Sequence, residues 1–133
     1  MVSIALVLLP LVNVTLTSCS EKDPDSFTNN IEEMSQKQVC LKIINSINNV
    51  TYISEFQLEA LNKNIESNIV VFHQCGGAKL TVADKAELTA MAYQAGVELG
   101  TKIRTYAPYD ANTMAQINRL FANLQRLDAL LAN

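Results

Sequence analysis

Residues 110–133, Asp-Ala-Asn-Thr-Met-Ala-Gln-Ile-Asn-Arg-Leu-Phe-Ala-Asn-Leu-Gln-Arg-Leu-Asp-Ala-Leu-Leu-Ala-Asn, decide the fold class. Met114, Ile117, Phe121, Leu124 and Leu131 keep a seven-residue rhythm, and Leu120, Leu127 and Leu130 widen the stripe beyond what one neighbour covers. A helix with so broad an apolar face belongs at the centre of a helical core, or else pairs its stripe with another chain. Asp110 stands ready as its N-cap, and Pro108 separates it from what precedes, because proline disfavours helical geometry in the residue before it.

Three further helix-period segments lie upstream. Leu88, Met91, Ala95, Leu99 and Ile103 form a stripe on a helix that Thr81 and Asp84 open and that runs to about Thr105. Before it, Leu58, Leu61, Ile65, Ile69 and Phe72 share one face of a helix that starts at Ser54, with Gln57 three residues on as the reciprocal member of a capping box. Gly76-Gly77 is placed to end that helix through a positive φ. The first segment spans about Ser26 to Asn48, with Phe27, Ile31, Met34, Cys40, Leu41, Ile43, Ile44 and Ile47 at three- and four-residue spacing, and Val50 to Ile53 reads as a short extended link. Four antiparallel-compatible helices with short connections predict an all-α fold, a small up-and-down bundle of about four helices.

Two glycines interrupt the third helix. Ala92, Gly96 and Gly100 sit four apart on one side, and an interior glycine costs about 1 kcal/mol relative to alanine. The placement asks for a compensating contact, either close approach of a neighbouring helix or a groove for a partner. Asp84, Lys85, Glu87, Glu98 and Lys102 on the same segment exclude a bilayer span.

Composition narrows the function classes. The 133 residues suffice for one domain, the formal charge is −3, and every charged residue lies at Glu21 or later. The longest basic cluster, Lys102 with Arg104, is too small to track a phosphate backbone, so nucleic acid is not an expected partner.

The N-terminal run from Val2 to Val12 has the length of a signal-peptide apolar core, whereas a bilayer span needs about 20 residues. Leu16-Thr17-Ser18-Cys19 follows it, and here the chain resembles the lipobox of bacterial lipoproteins: an aliphatic residue, a small or β-branched one, a small one, then cysteine. The resemblance implies cleavage between Ser18 and Cys19, a diacylglyceryl group on the Cys19 sulfur and an acylated new amino terminus. It further implies delivery to the outer membrane, facing the periplasm, since Ser20 and not Asp follows the cysteine. The alternatives are an ordinary secretory signal, giving a secreted protein, and an uncleaved apolar anchor or buried helix. The predicted organisation is a lipoprotein signal peptide over 1–18, a lipidated polar tether over 19–26 and a single helical domain over 27–133. No Lys or Arg precedes the apolar run, as expected if translation starts upstream of Met1.

With Cys19 lipidated, Cys40 and Cys75 remain as an even pair in an oxidising compartment, which favours a disulfide. Register opposes it: in a regular hairpin the two would be offset by about 16 Å along the axis. Either a helix breaks or bends, or both thiols are small core residues.

Catalytic and metal signatures are sparse. His73, the one histidine, sits near a helix end and supplies no triad, and His73 with Cys75 makes two metal ligands at most. No metal or other cofactor is implied. The expected function is therefore non-enzymatic: a membrane-tethered adaptor or pilot-like protein that binds a protein partner in the cell envelope, with an exclusion or immunity-type factor as a variant. An envelope-polymer enzyme is the alternative, with Glu87, Glu98 or Asp110 as its acids. A long apolar groove between helices would favour the first class, and a pocket joining two carboxylates about 5 to 10 Å apart the second.

Overall fold

Local signals in the sequence account for where each helix begins. In the computed structural model, which describes residues 34–75 and 77–132, four helices appear: α1 (Gln36–Asn48), α2 (Glu55–Gln74), α3 (Val82–Tyr106) and α4 (Ala111–Ala132). The leader, Cys19, the tether, and Phe27 and Ile31 lie outside the described residues.

The helix starts follow the capping chemistry. Thr81 and Asp84 form the reciprocal box in full, with Asp84 N donating to Thr81 Oγ1 at 2.9 Å and Thr81 N to Asp84 Oδ2 at 3.1 Å. Asp110 caps α4, its Oδ1 accepting from Thr113 N at 2.8 Å. Ser54 caps α2, accepting from Gln57 N at 3.1 Å, but the Gln57 side chain turns to Thr51 instead of closing the box. The first helix starts later than its apolar period suggests. Ser35 is extended, and it makes a complete capping box with Gln38, so α1 cannot continue upstream of Gln36.

The other correction concerns the end of α2. Cys75 caps it in an extended conformation, and no described glycine has a positive φ. Gly77 serves a different need. A Cβ there would run into the Met34 carbonyl, 2.9 Å from its carbon and 3.2 Å from Ser35 Cα. The α2–α3 connection thus lies directly on the start of α1, where Ala78 O accepts from Gln36 N at 2.9 Å and Gln36 Oε1 accepts from Leu80 N at 3.0 Å. One of the donors orphaned at a helix N-terminus is satisfied this way.

Direction alternates along the chain, yet the corners are not filled in chain order. α1 packs on α2 and α3, and α4 packs on the same two, so α1 and α4 stand at opposite corners and the α2–α3 connection crosses the bundle end. α1 and α3 run parallel: Lys37 Nζ reaches Glu87 at 3.2 Å and Asp84 at 3.6 Å at one end, and Lys102 Nζ donates to Val50 O at 2.5 Å at the other. The four apolar stripes meet in one core, with Ile43, Ile44, Leu58, Ile65, Leu88, Leu99, Leu120 and Leu127 inaccessible or nearly so.

A polar seam joins α2 to α4, which also run parallel. Asn62 and Asn123 are buried at 0% and 2% exposure, and Asn123 Nδ2 donates to Asn62 Oδ1 at 3.0 Å. Asn62 Nδ2 donates in turn to the Gln116 carbonyl at 3.0 Å, so the buried amides satisfy one another and the α4 backbone. At its outer edge Arg119 grips Glu66 with two bonds, Nε at 2.7 Å and Nη2 at 2.5 Å, and Asn123 donates to the same carboxylate at 2.9 Å. The guanidinium beside it holds the Glu66 carboxyl below its ordinary value of 4.5.

The Cys40–Cys75 bond that the sequence leaves open is not made. Cys40 is a free, buried thiol, which desolvation pushes up to about 11, so it does not react as a thiolate near neutrality. Cys75 Sγ lies against the Met34 carbonyl, and Cys40 is six residues further along, about 9 Å at helical rise and beyond bonding reach.

Two outcomes follow from these contacts. Gly77→Ala, read by thermal unfolding, lowers stability by about 1 to 3 kcal/mol because the α1 start must shift, whereas an unchanged midpoint would contradict the contact. Glu66→Gln destabilises above pH 4.5, where the native carboxylate is charged, and the deficit shrinks as the pH falls through the depressed folded value. A deficit that stays constant from pH 7 to pH 3 would contradict the pairing.

Candidate functional site

The α3–α4 pairing is the loosest of the four contacts between helices, and the sequence of α3 explains why. Leu88, Ala95 and Leu99 turn into the core, while the flank towards α4 carries Ala92 and Gly96, which offer little side chain to fill the space. A groove of about 520 Å³ opens there. Ala92, Tyr93, Gly96 and Val97 form its α3 wall, Leu124, Leu127 and Leu131 its α4 wall, and Thr89, Asp128 and Ala132 its rim.

Packing among the described residues does not explain Gly96. A Cβ built on it would meet nothing within 4 Å, and one on Gly100 would meet only Arg104 Nη1 at 3.5 Å, an ordinary contact. Ala92 and Gly96 line the groove; Gly100 lies one turn beyond it. Among the described residues the small-residue stripe at Ala92 and Gly96 therefore borders the groove, and none of them compensates the cost of Gly96.

Exposed apolar side chains continue the groove outward. Tyr93 is 74% exposed and Val97 47% on α3, and Phe121 is 48% and Met114 39% exposed on α4. Phe121 precedes Leu124 by three residues and Asp128 by seven, and Met114 precedes Phe121 by seven, so all three lie on the groove flank of α4. Sequence periodicity assigns Met114 and Phe121 to the core, and the structure places them at its outer edge. Tyr93, Val97 and Asp128 carry no sequence signal beyond their spacing: Tyr93 and Val97 stand four apart, each next to one of the small residues.

The candidate acids are elsewhere. Glu87 faces Lys37, Glu98 accepts from Gln94 at 3.1 Å, and Asp110 caps α4 with its carboxyl held below the usual range by the Thr113 amide. None of them lines the groove, whose single charged residue is Asp128. His73 sits edge-on to the Phe72 ring, 5.6 Å between centroids, in the last turn of α2. Among the described residues no three His, Cys, Asp or Glu gather to hold a metal ion, and no helix is long and apolar enough to cross a membrane.

What the arrangement can do chemically is bind: an apolar trough between two antiparallel helices accepts apolar side chains, and one acid at its rim favours a cation beside them. No family model matches this chain, and neither a curated protein nor a solved structure does.

If Gly96 lacks an internal packing role, Gly96→Ala raises stability by about 1 kcal/mol through helix propensity, measured by denaturant unfolding. A loss of stability would show that some neighbour needs the missing methyl group.

Proposed function

We propose that this chain is a lipid-anchored protein of the bacterial cell envelope that works by seating a protein partner in the α3–α4 groove, as an adaptor or assembly factor. The observation that carries this reading is the groove itself, apolar, open, and floored by a glycine that none of the described residues covers. Exposed Tyr93 and Val97 on its α3 wall, with Phe121 beside it on α4, have the aromatic and aliphatic composition of a docking face. The lipobox resemblance of Leu16-Thr17-Ser18-Cys19 supplies the tether in this reading, and Ser20 after it favours the outer membrane. Confinement to a surface raises the effective concentration of a partner held on the same membrane, so a modest groove affinity suffices. Attachment through several acyl chains is stable without a spanning helix, at about 0.8 kcal/mol per buried methylene.

The test joins anchor and groove in one experiment on the intact chain in its own membranes, with a benzophenone amino acid replacing Tyr93. Irradiation is expected to give a discrete protein adduct, and Cys19→Ala to move the chain to the soluble fraction and reduce the adduct at least about tenfold. No adduct at Tyr93 would overturn the docking reading, and Cys19→Ala remaining membrane-bound would overturn the anchor.

A further inference from the structure

We draw no further inference here: the strongest candidate, the open apolar groove between α3 and α4 floored by Gly96, belongs to the site already described, and nothing in the structure shows what covers it.

Discussion

The hydrogen bond between two buried asparagines, Asn62 on α2 and Asn123 on α4, sets the rest of the architecture. Each amide is out of water, so a slip of α4 by even one residue would leave donors and acceptors unpaired, at about 1 to 3 kcal/mol for each. Apolar stripes alone tolerate such slips, and α4 has a stripe broad enough to accept several rotations. The seam removes that freedom. Once Asn123 and Arg119 face α2, the opposite flank of α4, with Leu124, Asp128 and Phe121, is committed to the side of α3.

On that side α3 has little to offer in return. Its larger side chains, Leu88 and Leu99, go to the core, and its N-terminal half is held to α1 through Asp84 and Glu87 on Lys37. What is left to meet α4 is Ala92 and Gly96. The crossing connection reinforces this geometry, because it puts α1 and α4 at opposite corners and, among the described residues, leaves the α3–α4 gap without a third helix to close it. Open volume in the fold is therefore a consequence of how its tightest interfaces are made. The bundle uses its best packing on the α1–α2 and α2–α4 sides and leaves a trough where its small residues are.

Much of this was legible in the residues, and the failures share a cause. Ser54, Thr81 and Asp110 mark helix starts because a side-chain oxygen that can take a backbone N–H is a local device, complete within four residues. The same device, Ser35 with Gln38, was present at the true start of α1, but the apolar period running through Phe27 and Ile31 masked it. Gly77 shows a nonlocal role: its sequence context suggests a helix terminator, whereas the structure needs its missing Cβ for contact with Met34. For the groove, the small-residue stripe named the correct helix flank and could not say what faced it. Which helix stands opposite depends on corner order, and the diagonal step from α2 to α3 is a property of the assembled bundle. Phe121 and Met114 were unreadable for the same reason, since periodicity assigns a residue to a face and only packing decides whether that face is covered.

A lipid anchor, a short tether and an open groove would together describe a protein that meets its partner at a membrane surface. The account stands on that groove being covered where the protein works. Hydroxyl-radical footprinting of Tyr93 and Phe121, in native membranes and in the dilute purified chain, measures this coverage directly. Both rings are predicted to react in the dilute chain and to be shielded in the membrane, and equal reactivity in the two settings would contradict the account.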